Sequence, residues 1–155
     1  MDVWKYKEIH GRALVSHESI LLSQTMNPHD STFNLSYVLK ITFNLQQEWL
    51  QNCFQAMLSR HRFFSSRWHR SGEEWFFQLP DQPPEVGVDC FEYSAFDSPF
   101  FFEYCNKPFD VSGDVLCRLA VFGSGSDGEE CYLALVAHHL VADSISIQLF
   151  MEELF

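Results

Sequence analysis

Cys131-Tyr-Leu-Ala-Leu-Val-Ala-His138-His139-Leu-Val-Ala-Asp143-Ser144 is the stretch on which the reading of the chain turns. From Cys131 to Ala137 the residues are apolar and the run is short, with an aromatic in Tyr132 and a β-branched residue in Val136, the pattern of a buried strand. Beyond it, in Ser144-Ile-Ser-Ile-Gln-Leu-Phe-Met-Glu-Glu-Leu-Phe155, Ile145, Leu149 and Glu153 mark an i, i+4 repeat with Ile147, Phe150 and Leu154 beside it. That is a helical pattern, with Asp143 or Ser144 as its N-cap. Two histidines therefore stand where a buried strand stops, and a carboxylate stands where a helix starts. Such a junction can set a base in a cleft and fix its orientation. A packed histidine and a merely capping aspartate fit the same spacing.

Composition narrows the field. At 155 residues the chain is one domain or one lobe of something larger. It is 46% hydrophobic with 16 Phe, enough to fill a core and unlike a disordered chain. The formal charge of −11 and the lack of any basic cluster argue against nucleic acid and against an anionic membrane as partners. Cys53, Cys90, Cys105, Cys117 and Cys131 are odd in number and widely spaced, which fits reduced thiols better than a disulfide framework or a zinc site. His10, His17, His29, His61 and His69 lack metal-ligand spacing and read as surface or cap residues. No apolar run has the length of a signal peptide or a membrane span, so a soluble cytoplasmic protein is expected.

Along the chain, Val3 to Ile9 reads as a first strand, and Ser16 to Met26 as a helix capped by Ser16 and stopped by Asn27-Pro28. Phe33 to Phe43 alternates apolar and polar residues and is the clearest strand. Asn44 then caps a helix from Leu45 to Ser59 whose buried stripe is Trp49, Leu50, Cys53, Phe54, Met57 and Leu58. Phe63 to His69 and Trp75 to Leu79 flank Ser71-Gly72-Glu73 as a hairpin. Val86 to Tyr93 is a further strand, and Asp97-Ser98-Pro99 opens a short aromatic helix. Val115 to Phe122 is another strand, and Gly123 to Glu129 a surface turn without the lysine of a phosphate loop. Strands interleaved with helices give an α+β fold, a two-layer sandwich with a mixed, largely antiparallel sheet.

Several segments together resemble the condensation domains of nonribosomal peptide synthetases, within the wider group that shares the chloramphenicol acetyltransferase fold. His138-His139-x-x-x-Asp143-Ser144 resembles the His-His-x-x-x-Asp-Gly core. Ser16 to Gln24 resembles the opening S-x-x-Q/E-x-x-x-W helix without its aromatic, and Thr32 to Tyr37 the strand that follows it. Leu58 to Trp68 is similar to the R-H-E-x-L-R-T-x-F segment through Arg60, His61 and Trp68. Lys107-Pro108-Phe109-Asp110, with Leu116 and Arg118, matches R-P-F-D-x-x-x-x-P-L-x-R.

The resemblance implies the N-terminal lobe of a condensation-type domain over residues 1–155, its C-terminal lobe absent from this chain. It implies amide formation between an acyl or peptidyl thioester and an aminoacyl thioester, both carried on the phosphopantetheine arms of partner carrier proteins, with no directly bound cofactor and no metal. His139 is the implied catalytic residue, as base or as the group that orients the amine. His138 is the packed neighbour, because adjacent strand residues face opposite ways. Asp143 is the carboxylate that in the family holds the loop by pairing with an arginine. Ser144 stands where the family has glycine, and Ser65 where it has that arginine; Arg67, on the same side of a strand as Ser65, is the expected substitute partner of Asp143. An epimerisation or other acyltransferase domain, and a non-catalytic lobe that docks carrier proteins, are the alternatives.

Overall fold

The computed structural model describes residues 6–92, 98–113, 115–123 and 130–155. The elements follow in the order β1 (Tyr6–Arg12), α1 (Val15–Met26), β2 (Asn34–Ile41), α2 (Gln47–Arg60), β3 (Arg67–Ser71), β4 (Glu74–Pro80), β5 (Asp89–Phe91), α3 (Pro99–Asn106), β6 (Cys117–Phe122), β7 (Cys131–His138) and α4 (Ser144–Glu153), with a 3-10 turn at Arg62–Ser65. The strands form two sheets. One has the order β1-β4-β3 and the other β2-β7-β6-β5. All pairs are antiparallel except β5 with β6. The α+β expectation holds, with the predicted hairpin set apart in the smaller sheet. Its strands meet across Gly72, whose positive φ of 65° suits the tight turn.

β7 is the spine of the larger sheet. Antiparallel pairing on both flanks satisfies its backbone: Asn34 to Ile41 run against His138 to Cys131, and Cys117 to Phe122 against Ala137 to Tyr132. Leu133 to Ala137 are fully buried, as are Leu119, Ala120 and Phe122 beside them. This continuous apolar run is what a strand covered on both faces requires. Leu50, Phe54, Met57 and Leu58 of α2 join the same core, and Phe54 and Phe64 meet Phe150 of α4 edge-on or tilted.

Element ends depart from expectation in instructive ways. Ser16 does not cap α1; the cap position is Leu14, without a side-chain bond, and Ser16 lies inside the helix. Likewise α2 starts after Gln46, not Asn44. Trp49 is exposed and packs beside Phe155 at 5.9 Å, so the buried stripe of α2 is narrower than its periodicity predicts. In α4 the buried residues are Ile147, Phe150 and Met151, while Ile145 and Leu149 are exposed. The strand expected over Val86 to Tyr93 is only Asp89–Phe91; Tyr93 and Asp97, residues 3–5 of the expected first strand, and 124–129 of the expected surface turn lie outside the described residues. The expected aromatic helix α3 opens at Pro99, with Ser98 as its cap, accepting from the Phe101 amide at 3.2 Å.

The Lys107-Pro-Phe-Asp110 and Arg118 positions belong to one device. A helix end leaves carbonyls without intrahelical partners. At the end of α3, Arg118 donates through one amino group to the carbonyls of Tyr104 (2.8 Å), Lys107 (2.5 Å) and Cys105 (3.4 Å). The Asn34 amide donates to Cys105 and Lys107 from the other side, at 3.0 and 2.9 Å. The guanidinium also lies 4.3 Å from the centre of the Phe109 ring, within cation–π range. Arg118→Met keeps the stem and removes the donors; it is expected to cost about 2–4 kcal/mol of unfolding free energy, the range of one or two hydrogen bonds to a charged group. Chemical denaturation reads it, and a loss below about 0.5 kcal/mol would contradict this role, since that is the size of an ordinary surface change.

Candidate active site

β7 ends on His138, and His139 opens the turn that follows, on the opposite side. His138 is buried, only 1% exposed, beneath the ring of Phe109 (6.2 Å, edge-on) and beside Phe33. Its Nδ1 accepts from the Leu140 amide at 3.2 Å, so that nitrogen bears a lone pair and the proton sits on Nε2. Nε2 then donates to Gln24 Oε1 at 3.4 Å. Gln24 is itself held, its amide donating to the carbonyls of Pro28 and Asp30 at 3.2 and 3.3 Å. Both ring nitrogens of His138 are thus used in the neutral form. Burial, and secondarily the neighbouring His139, hold its imidazole down to about 4.

His139 is the reverse case. Its ring is exposed, and Nδ1 lies 2.9 Å from the Ala142 carbonyl. A carbonyl only accepts, so Nδ1 carries the proton and Nε2 presents its lone pair outward. The His139 amide donates to the Phe33 carbonyl at 2.8 Å, which pins the backbone to the start of β2. The ring is oriented by its own loop, without help from a carboxylate.

The loop lines a cleft of about 320 Å³ whose walls include Ser16, His17, Phe63, His139, Asp143 and Ser146. Among the described residues Ser144 is not one of them; it is exposed in the first turn of α4. Asp143 is the N-cap of α4. Its Oδ1 accepts from the Ser146 amide at 2.7 Å and the Ser146 hydroxyl at 2.6 Å, and these bonds hold its carboxyl below the usual range.

The Asp143–Arg67 pair expected from sequence is not formed. The start of β3 is tied to the loop after Phe109 by the Trp68 amide and the Val111 carbonyl, 2.9 Å apart, and the Arg67 charge acts on Asp110. Asp110 is held below the usual carboxylate range chiefly by Ser112, with Arg67 a smaller cause. Ser65 is buried with its hydroxyl unpartnered. The loop bearing His139 is fastened by Asp143 and Ser146 instead.

His17 is the cleft residue that sequence reasoning passed over as a surface position. The signal was helical spacing: His17, Leu21 and Gln24 share one face of α1, which meets His138 through Gln24 and lines the cleft with His139 through His17. Among the described residues no group of three His, Cys, Asp or Glu side chains is arranged to hold a metal ion, and no helix is long and apolar enough to cross a membrane.

The chain belongs to the Condensation domain family, whose pattern matches residues 13–155. It is 26% identical over 137 residues to the nonribosomal peptide synthetase ungA' of Aspergillus campestris (strain IBT 28561) and 27% identical over 127 residues to ungA of Aspergillus violaceofuscus (strain CBS 115571). These stretches cover 86% and 79% of this chain but 1% of each synthetase. The fold is similar to the starter condensation domain of rhizomide synthetase RzmA, with TM-score 0.81, 11% identity, and coverage of 95% of this chain and 38% of that one. It is also similar to the first condensation domain of the calcium-dependent antibiotic synthetase, with TM-score 0.78, 17% identity, and coverage of 96% and 40%. For the condensation domain of the monacolin K polyketide synthase MokA the values are 0.81, 14%, 97% and 34%. The chain therefore spans well under half of the solved structures it matches.

Neutral burial of His138 makes stability depend on pH. Its folded pKa lies below its unfolded value of 6.5, so the unfolded chain binds the proton first. The contribution is intact above pH 6.5, declines as pH falls, and is fully lost at about 4. Over that window the loss is about 3 kcal/mol. Denaturant unfolding across the window, native protein against His138→Gln, is expected to give a shallower pH slope for the variant; equal slopes would place the titrating group elsewhere.

Proposed function

We propose that residues 1–155 form the N-terminal lobe of a condensation domain that joins a carrier-bound acyl or peptidyl thioester to a carrier-bound aminoacyl thioester, with His139 meeting the amine. The observation that carries this reading is the bond from His139 Nδ1 to Ala142, which leaves Nε2 as a fixed lone pair at the mouth of a cleft. Condensation domains are acyltransferases that form amide bonds, and the two synthetases to which the chain is similar supply the context.

The chemistry follows from that lone pair. An uncharged amine attacks the thioester carbonyl, forming C–N; the tetrahedral intermediate collapses with loss of C–S, and the proton leaving nitrogen ends on the departing thiolate. Nε2 of His139 can accept the amine's hydrogen and relay it, as base or as orienting partner. His138 holds the loop from beneath, and Asp143 with Ser146 holds it from the helix side. The phosphopantetheine arms belong to the carrier proteins, which with a C-terminal lobe and neighbouring synthetase domains are the partners this reading requires. Cytoplasmic residence fits such an assembly. Ser144, at the edge of the loop, is a residue for tuning substrate choice.

A non-catalytic lobe that docks carrier proteins is the second reading, favoured by Ser65 and by the lack of an Asp143–Arg67 pair. The two separate in a condensation assay on the full-length parent, loaded with donor and acceptor carrier thioesters. His139→Ala is expected to lower product formation about 100-fold or more, the scale of general base catalysis. Equal product from native protein and variant would remove His139 from the mechanism. No product from a folded, loaded native parent would favour the docking reading or another acyl transfer over condensation.

A further inference from the structure

Two imidazoles face the same cleft. His17 comes from the first turn of α1 and His139 from the loop after β7, and Phe63 and Asp143 also line the walls. His17 stands edge-on to the buried Trp68, their ring centres 5.1 Å apart. Its Nδ1 is buried without a hydrogen-bond partner, so exchange with the cleft falls to Nε2. A side chain placed this way is fixed by packing and has one polar atom to offer a ligand. The cleft, about 320 Å³, is at the lower end of small-ligand sites and suits one aminoacyl group.

We propose that His17 is a positioning residue for the amine-bearing substrate, hydrogen-bonding through Nε2 to the aminoacyl group whose amine meets His139. The inference rests on the acyl-transfer reading above and names a second contact in its site. An amine attacking a carbonyl must be fixed in rotation as well as in distance. One contact to His139 fixes the distance, and a second contact from the facing wall fixes the rotation.

The electrostatics of the pair divide the labour. Burial lowers the proton affinity of His17, and the His139 charge lowers it further. His138, on the far side, is held neutral as well. The remaining titratable group on the cleft wall, Asp143, is kept ionised by Ser146. Positive charge at His139 therefore makes protonation of His17 less favourable still. It can hold the substrate but not replace the base.

The test uses the full-length parent with separately varied donor and acceptor carrier thioesters, comparing native protein with His17→Leu, His17→Gln and His139→Ala. His17→Leu, apolar and of similar bulk, is expected to raise the acceptor KM about tenfold and leave the donor KM unchanged. The basic limb of the pH–rate profile stays in place. His17→Gln keeps a polar atom in that position and is expected to restore most of the acceptor KM. Equal acceptor KM for the Leu and Gln variants, or parallel changes in both KM values, overturns the role of His17. If His139→Ala abolishes product while His17→Leu is kinetically native, this inference fails and the acyl-transfer reading stands. If His139→Ala keeps full activity, the reading fails and takes the inference with it.

Discussion

A strand buried on both faces and paired on both edges has no freedom to shift, and β7 is such a strand. Leu133 to Ala137 see no solvent, and β2 and β6 occupy the two hydrogen-bonding edges. A slip of one residue would send every side chain to the opposite face, each into a core packed for another shape. The phase of the strand is therefore fixed through to its last residue, so His138 must point inward, and His139, the first residue beyond it, is carried outward and held there by its amide bond to Phe33. The site geometry is a boundary condition set by the core, and the loop only completes it.

What surrounds His138 converts that fixed phase into a fixed ring. Gln24 reaches it from the end of α1, Phe109 covers it, and Phe109 in turn lies under the guanidinium of Arg118. Arg118 and Asn34 meet on the same carbonyls at the end of α3. Residues far apart in sequence thus form one supporting layer behind the exposed imidazole. Second-layer support of this kind lets a catalytic group be held to a fraction of an ångström.

The parts of the fold legible in sequence were those set by hydrophobic pattern. The alternation from Phe33 to Phe43, the apolar run after Cys131 and the glycine hairpin all correspond to observed strands. Helix starts were less legible, because the serine and asparagine chosen as caps for α1 and α2 compete with backbone geometry that only the packed neighbours decide. The same limit applies at the site. The inward and outward senses of His138 and His139 follow from strand alternation, but the partner of Asp143 does not follow from the position of Arg67 on a strand. Arg67 lies against the loop after Phe109, and no local pattern reports which loop passes beside a given strand. The partners of Arg118 include main-chain carbonyls, which carry no side-chain signature in a sequence.

The pairing of β2 with β7 sets the order in which the molecule can be made. β2 is complete at Ile41, but its hydrogen-bonding partner begins at Cys131. During synthesis at about 5–20 residues per second, the wait is roughly 5–20 s. Through that interval an alternating apolar strand stands with an open edge, the template on which chains associate wrongly. Lys40, ion-paired with Glu130 in the finished fold, lies on this edge strand and is the type of residue that discourages such association. Because His138 closes β7 and His139 follows it, the cleft cannot assemble until β7 has been made.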